Sequence, residues 1–433
     1  MSRRKINFNS PPLGSAPAAE GSDSFRKIKC RYCDSRLPEP FLELSSMPLA
    51  NSLVAFEDRD KPEIECPLSL AWCPACWLVQ LTHVVPPQLM FDNYLYVSST
   101  TKTFQEHFAR YAKTVRQKLK VRGRAVAVDI GSNDGLLVSC YAKEGMDALG
   151  IEPAKNLSRL ANQKGIPTLN RYFDSACVET ILREKGPAKV MSANNVFAHI
   201  DDIQSVVRNV RDLLDKEGML VIEFPYLVTM LNEMLFDMIY HEHLSYLSIT
   251  ALSYLFKRFE MQIFDVEYVP SHGGSCRVFI QKNGGPYEVS PAVGEFTGKE
   301  KNGGCGALKT CTEFAEKVRQ VKKDILQFVD DAKRGGKIIA GYGAPAKAST
   351  LINFCRLSPE QIDFIVDDNP LKQNRLVPGA KIPIVPSRWL ESHRVDYLII
   401  FAWNFAEEIM AKIQPLRQKG VRFLIPLPKP TLV

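Results

Sequence analysis

The stretch Asp237-Met-Ile-Tyr240-His241-Glu242-His243-Leu-Ser-Tyr246 is the densest chemical stretch in the chain, with two histidines bracketing a glutamate and a tyrosine on either side. Histidine and glutamate exchange protons near neutral pH once their surroundings adjust their pKa values. A tyrosine hydroxyl can donate to an oxyanion as it forms. His241 and His243 are two residues apart, whereas the H-E-x-x-H zinc protease motif needs two histidines four apart on one helical face. The pattern therefore indicates proton transfer without a catalytic metal, against the plainer reading of a polar segment packed under a loop. His199, in Asn195-Val-Phe-Ala-His199, follows a strand pattern and can face the same cleft, while His83, His107 and His393 stand outside any such cluster.

Two cysteine pairs carry a second chemistry. Cys30-Arg-Tyr-Cys33 and Cys73-Pro-Ala-Cys76 are Cys-x-x-Cys knuckles, each able to offer two thiolates to one tetrahedral ion. Together they make a closed four-thiolate site suited to zinc, with no position for water, so the ion is expected to be structural. The gap between the knuckles is longer than in a compact zinc ribbon. Neither knuckle follows a strand of a βαβ pattern, which disfavours a redox pair. Cys66 has no evident role.

A third signal is the loop Asp129-Ile-Gly131-Ser-Asn133-Asp134-Gly135, which follows a strand and opens a helix. Its D-x-G-x-x-x-G spacing is not the G-x-G-x-x-G of a dinucleotide site. Its glycines allow close backbone approach to a ligand, and Asp129 can face an ammonium group such as that of methionine. The next strand ends in Gly150-Ile-Glu152-Pro153, where an acid is placed to hold both ribose hydroxyls, and a third ends in Ser192-Ala-Asn194-Asn195. Loop and acid together point to S-adenosylmethionine; the alternative is a tight turn with an incidental acid. Two further glycine-rich segments stay open between anion binding and simple turns. They are Ser271-His272-Gly273-Gly274-Ser275-Cys276-Arg277 and Gly341-Tyr342-Gly343-Ala-Pro-Ala-Lys347, where backbone amides and Lys347 could meet a diphosphate.

The elements that must position these residues follow from periodicity. A Ser/Pro/Gly/Ala-rich stretch marks 1–25 as a flexible tail. Residues 26–103 are rich in Cys, Pro and aromatics with few helical patterns, and read as a small loop-rich domain. Apolar Phe104, Phe108, Tyr111 and Val115 at helical spacing predict a helix from Thr103 to Val121. Strand patterns then alternate with helices at 125–130, 148–151, 189–192 and 219–222, the rhythm of a parallel α/β sheet. Polar, glycine-rich sequence at 284–286 and 301–304 puts a boundary near 300. A long amphipathic helix from Thr312 to Arg334 opens a second α/β unit over 301–433, with strands at 337–341, 362–366 and 397–401.

The 433 residues suffice for two to four domains, and 45% hydrophobic content for packed cores. The net charge of +7 is small for the length and of mixed sign along the chain, which suits an anionic small substrate better than nucleic acid. No run of about 18 apolar residues predicts a membrane span. The N-terminus lacks the apolar region of a secretory signal, and 11 cysteines, an odd number, argue against a disulfide framework. A cytoplasmic protein is expected.

Taken in order, the paired knuckles, Asp129-to-Gly135, Asn194-to-His199, Tyr240-to-His243, His272-Gly-Gly-Ser275, Gly341-to-Lys347, Val366-Asp367-Asp-Asn-Pro370 and Val377-Pro378-Gly379 resemble the sugar C-methyltransferase family over Lys29 to Ile425. The resemblance implies an α/β architecture in which a class I methyltransferase Rossmann-like domain is flanked by a small N-terminal zinc-binding domain and a C-terminal Rossmann-like domain. It implies S-adenosylmethionine, structural zinc, and a nucleotide-linked 4-keto deoxysugar methylated at C3 by a monomer. It also implies that Tyr94, in Phe91-Asp-Asn-Tyr94-Leu-Tyr96, reaches the active site from the zinc domain. In that setting His243 is the expected base, tuned by Glu242. Tyr240 and His199 stabilise the enolate or carry its proton, and Tyr94 positions the sugar. His272, Arg277, Tyr342 and Lys347 are the expected substrate contacts. A zinc-knuckle nucleic-acid methyltransferase is the competing class; Pro, Leu and Trp rather than dense Lys and Arg flank the second knuckle, although Arg26, Lys27, Lys29, Arg31 and Arg36 lie about the first. A catalytically dead scaffold conflicts with the intact loop and cluster. An NAD-dependent sugar dehydrogenase or isomerase would lack the third glycine near Gly343.

Overall fold

In the computed structural model of the chain the described residues are 25–92, 94, 97–120 and 123–433. The expected tail, apart from Phe25, lies outside them, as does Tyr96. The N-terminal part contains β1 (Leu42–Pro48), β2 (Val54–Ala55), β3 (Glu65–Trp72), β4 (Val79–Leu81) and the short helix α1 (Pro87–Phe91). It is less loop-rich than expected: β1, β3 and β4 form an antiparallel sheet. Leu42, Leu44, Leu68 and Leu70 alternate into its buried face. A register shift between Glu43 and Ser46, with Ser45 at φ 73°, breaks that alternation and hides its period of two in the sequence.

The central domain opens with α2 (Lys102–Lys118), whose Phe108, Tyr111, Ala112 and Val115 are buried. Then come β5 (Val126–Ile130), α3 (Leu136–Lys143), β6 (Asp147–Ile151), α4 (Lys155–Gln163), β7 (Thr168–Leu169), α5 (Ser175–Lys185), β8 (Ala188–Asn194), α6 (Ile203–Leu213) and β9 (Leu214–Pro225). It continues through α7 (Leu227–Asn232), β10 (Ser245–Tyr246), α8 (Ile249–Lys257), β11 (Met261–Val269), β12 (Ser275–Lys282) and α9 (Pro291–Asn302). The sheet order is β11-β12-β9-β8-β5-β6-β7, with β12 antiparallel to both neighbours and the remaining pairs parallel. The C-terminal ends of β5, β6, β8 and β9 thus share one edge, where open α/β sheets bind ligands.

The long helix α10 (Leu308–Arg334) begins a little before the expected Thr312, and α11 (Ala346–Cys355) follows β13 (Ile339–Tyr342). The C-terminal sheet adds β14 (Ile365–Val366), β15 (Arg375–Leu376), β16 (Pro383–Val385), β17 (Tyr397–Ile400), β18 (Arg422–Ile425) and β19 (Thr431–Leu432).

Two strands cross between domains. β10 leaves the central domain to pair with β4, and β2 leaves the N-terminal domain to pair with β15. One hydrophobic cluster draws on all three parts, from Leu42 through Phe236 to Ile365. Arg31, between the first two cysteines, reinforces the join. Its buried guanidinium donates to the carbonyls of Leu81 and Leu244, to Gln80 and to Asp201.

Glu300, near the end of α9, is fully buried. It accepts hydrogen bonds from the Ile249 and Thr250 amides at 2.6 and 2.8 Å, so it caps α8, and from the Tyr226 hydroxyl at 2.9 Å. Glu300→Ala strands these donors, and an unsatisfied buried donor costs about 1–3 kcal/mol. Urea unfolding should show a loss of about 2–4 kcal/mol, since some of the donors will find water.

Candidate active site

The ionisable stretch runs from a single helical turn, Phe236–Met238, into β10. His243 Nδ1 lies 2.7 Å from the Met238 carbonyl. A carbonyl only accepts, so Nδ1 carries the proton and the basic lone pair of the neutral ring is on Nε2. The Tyr240 ring lies 3.9 Å from the His243 ring, and His199 stacks on its side at 5.2 Å. Phe91 stacks on His199 in turn and meets Tyr94 edge-on, both at 5.7 Å. Tyr94 donates to Glu242 Oε2 at 2.8 Å, while Asn51, which sequence reasoning missed, donates to Oε1 at 2.6 Å. The structure therefore brings Tyr94, His199, Tyr240, Glu242 and His243 together, and His199 and His243 open onto a cleft. Asn195, Tyr226, Met238 and Gly274 line it with His199 and His243.

Electrostatics divides the roles. Burial raises the Glu242 carboxyl above its usual range, and the Asn51 and Tyr94 hydrogen bonds oppose that rise. Burial, with His243 nearby, holds His199 well below the usual imidazole value, so its ring is neutral. His241 faces the other way: its Nε2 lies 2.9 Å from the Cys66 carbonyl and burial lowers it to about 4. Although it sits beside Glu242 in sequence, His241 ties the segment to the N-terminal sheet.

The second group of expected residues lies along the central sheet edge. Asp129 is buried and accepts from Ser192 Oγ at 2.5 Å; burial, helped by Glu152, pushes it up to about 7. Gly131 has φ 68°, and a Cβ there would lie 2.4 Å from a Val196 methyl, so only glycine fits. Gly135, at φ 82°, is in the same position against Ile166. The Glu152 carboxylate accepts from the amides of Asn133 and Ala154, both at 2.8 Å. Asn194 carries a buried side-chain donor and acceptor without partners, and Asn195 sits beside it at φ 54°. An acid at one strand end and orphaned amide atoms at the next suit a ligand with an ammonium and hydroxyl groups. Asp134 behaves differently: it is buried against Lys164 at 2.7 Å and the Ser99 hydroxyl, holding the segment that leads into α2.

Arg277, Tyr342 and Lys347, the substrate contacts expected from the glycine-rich loops, each have a partner within the chain. Arg277 is not a free cation. Its Nε and Nη2 bind Glu223 Oε2 at 3.0 and 2.8 Å, and it lies over the Tyr111 ring. Glu223 also meets His107 at 2.8 Å and Ser271 at 3.1 Å, which gives His107 a place at the sheet edge that its isolation in sequence concealed. Tyr342 donates to Asp368 at 2.9 Å. Lys347 donates to Asn404 at 2.6 Å and lies 3.7 Å from the centre of the Trp403 ring; burial lowers it to about 8, against the pull of Asp237. The Ala344 amide of that loop is taken by Asp367. The side chain of His272 is outside the described residues.

The cysteine knuckles meet as their spacing suggests. The thiols of Cys30, Cys33, Cys73 and Cys76 lie within 4.8 Å of one another, with Cys30–Cys76 at 3.4 Å and Cys33–Cys73 at 3.5 Å. A tetrahedron with Zn–S bonds of about 2.3 Å has edges of about 3.8 Å, so the four thiolates fit the ion closely. Cys66 lies outside this group, and burial pushes its thiol up to about 11.

Three family profiles match the chain. They are described as "Putative zinc binding domain" over residues 30–91, "Methyltransferase domain" over 104–265 and "C-methyltransferase C-terminal domain" over 270–428. The C-methyltransferase NovU of Streptomyces niveus is 34% identical over 405 residues, covering 94% of this chain and 96% of that protein. The chain belongs to the sugar C-methyltransferase family. Among solved structures, the central part of this C-methyltransferase is similar to magnesium protoporphyrin IX methyltransferase from Synechocystis, at 12% identity over 41% of this chain and 83% of that one, TM-score 0.33. It is also similar to an S-adenosylmethionine-dependent methyltransferase from Clostridium acetobutylicum, at 11% identity over 41% and 92%, TM-score 0.34.

As a C-methyltransferase the protein takes its methyl group from S-adenosylmethionine and binds zinc. No helix among the described residues is long and apolar enough to cross a membrane. Cys73→Ser should abolish stoichiometric zinc by elemental analysis and lower the melting temperature, whereas Cys66→Ser should keep its zinc.

Proposed function

We propose that the protein methylates a nucleoside-diphosphate-linked 4-keto deoxysugar at C3, in the cytoplasm and as a monomer. The observation that carries this reading is His243, with Nδ1 pinned to the Met238 carbonyl, beside Tyr240 and His199 in a cleft that Asn195 links to the central sheet edge. Carbon is not nucleophilic until it loses a proton, and a ketone at C4 makes the C3 proton removable by spreading charge onto the ketone oxygen. His243 Nε2 accepts that proton, and the pinned Nδ1–H stabilises the imidazolium that results. Tyr240 supplies a hydroxyl for the enolate oxygen, and His199, held neutral, donates or relays a proton without adding charge. Glu242 tunes the base and anchors Tyr94, which positions the sugar. When bound, S-adenosylmethionine supplies an electrophilic methyl group, and alignment of that group with C3 accounts for much of the rate.

Asp129 holds the ammonium of the methyl donor, and Glu152 with Asn194 and Asn195 the remaining polar groups, around the turn of Gly131, Asn133 and Gly135. Asp134 supports that turn from beneath. On the C-terminal side, Lys347 and Tyr342 reach a diphosphate by exchanging Asn404 and Asp368 for phosphate oxygens. His272 is assigned a sugar contact on the sequence pattern alone.

His243→Asn should lower kcat by about 10²–10⁴-fold, the usual range for a general base. It should also stop C3 proton exchange in deuterated water, with S-adenosylhomocysteine affinity changed by less than a few-fold. Normal turnover in that variant would sink the base assignment. A second test uses Asp129. Because burial raises its carboxyl to about 7, it is mostly protonated at pH 6, and a bound ammonium favours the ionised form. Binding of S-adenosylhomocysteine should therefore release close to one proton at pH 6 and almost none at pH 8. Calorimetry in buffers of different ionisation enthalpy reads this directly, and equal proton release at both values would remove Asp129 from the ammonium site.

A further inference from the structure

The roles given so far use one side of Glu242. Tyr94 meets Oε2, but Oε1 takes the Asn51 amide at 2.6 Å, shorter than the Tyr94 contact. Asn51 lies in the turn between β1 and β2, far in sequence from the proton-transfer cluster. The C-terminal domain holds that turn on both sides. Ser349 of α11, itself buried, donates to the Ala50 carbonyl at 2.9 Å, and Arg375 donates to the Leu53 carbonyl at 3.3 Å. Directly after, β2 pairs with β15. The next residue of α11, Thr350, donates at 2.9 Å to the Ile239 carbonyl, just before Tyr240. One helix of the C-terminal domain therefore fixes both the turn that carries Asn51 and the segment that carries Glu242.

We infer that Asn51 is a positioning residue for methyl transfer: clamped by the C-terminal domain, it fixes the plane of the Glu242 carboxylate and favours its ionised form. The inference rests on the role given to Glu242 above. An amide N–H can only donate, so its bond to Oε1 is at full strength when that oxygen carries no proton. With one donor on each oxygen, the carboxylate cannot rotate without breaking a buried bond. Among the described residues, the hydrogen-bond partners of Glu242 are Asn51 and Tyr94, both uncharged, and burial works against its charge. Its neighbours in the chain turn elsewhere, His241 to the Cys66 carbonyl and His243 Nδ1 to the Met238 carbonyl. Removing the Asn51 amide thus leaves Glu242 easier to protonate and free to swing, and Tyr94 loses a fixed acceptor.

The test uses the full-length, zinc-loaded protein with a thymidine-diphosphate-linked 4-keto deoxyhexose and S-adenosylmethionine. Asn51→Ala should lower kcat about 10- to 100-fold, the loss expected for a hydrogen bond to a charged group, while KM for the sugar nucleotide changes by less than about 3-fold. The acid limb of the kcat profile should move up by about one pH unit. Ser349→Ala, which loosens the turn without touching Glu242, should shift the limb in the same direction by less. Zinc content and S-adenosylhomocysteine affinity should match the parent in both variants, and the melting temperature should fall by no more than about 2–4 °C. Asn51→Ala with the parent's kcat and acid limb overturns the inference. So does a fall in kcat that comes with loss of zinc, with a larger fall in melting temperature or with loss of S-adenosylhomocysteine binding, because the residue would then be only structural. Glu242→Gln separates the two levels. If it turns over like the parent, the role given to Glu242 itself is wrong; if it loses turnover while Asn51→Ala does not, only the positioning inference fails.

Discussion

A guanidinium buried between protein parts draws acceptors from each of them, and Arg31 joins the molecule in that way. Its side chain is 2% exposed, so water cannot serve it. It sits inside the first cysteine knuckle, and its Nε and Nη1 reach three separate places. These are the N-terminal sheet at Gln80 and Leu81, the carbonyl of Leu244 next to His243, and Asp201 two residues after His199. An arginine fork suits this better than a lysine point charge, since several acceptors in different directions must be met at once. The metal-binding knuckle and the two histidines of the cleft are thereby held in one frame. The zinc, though remote from any chemistry, belongs to the geometry of the active site.

The central domain was the most legible part of the sequence. Its strands are buried on both faces, so they appear as short apolar runs bounded by glycine and acid at 125–130 and 148–151, and the structure finds them there. The N-terminal sheet was not legible, because prolines and cysteines punctuate the segments around it and a bulge interrupts its alternation. The crossing strands were invisible for a different reason: β2 and β10 are two residues long and acquire strand geometry only from partners in other domains. Of the candidate site, Tyr240, Glu242 and His243 stood out by density. Asn51 and His107 did not, because an isolated polar residue gives no sign of the carboxylate it will meet across the fold.

The same contrast separates residues by what surrounds them. Arg277 and Lys347 looked like cations awaiting an anion, yet each lies in a buried setting that already supplies one or its equivalent: Glu223 for the first, Asn404 with the Trp403 ring for the second. A charge carried into a protein interior is paired at once or made neutral, so sequence alone overstates how many charges a substrate can claim. His199 and His241 follow the second route and stay neutral through burial.

The exchange of β2 and β10 between sheets bears on how such a protein can change over time. Each lent strand covers an edge that would otherwise offer unpaired amides and carbonyls to other chains. A recombination event cut at the apparent module boundaries would leave one sheet short and another with a stray strand. Inheritance of new substrate preferences by shuffling whole modules is therefore obstructed, and divergence in this architecture is channelled into point changes along the cleft walls.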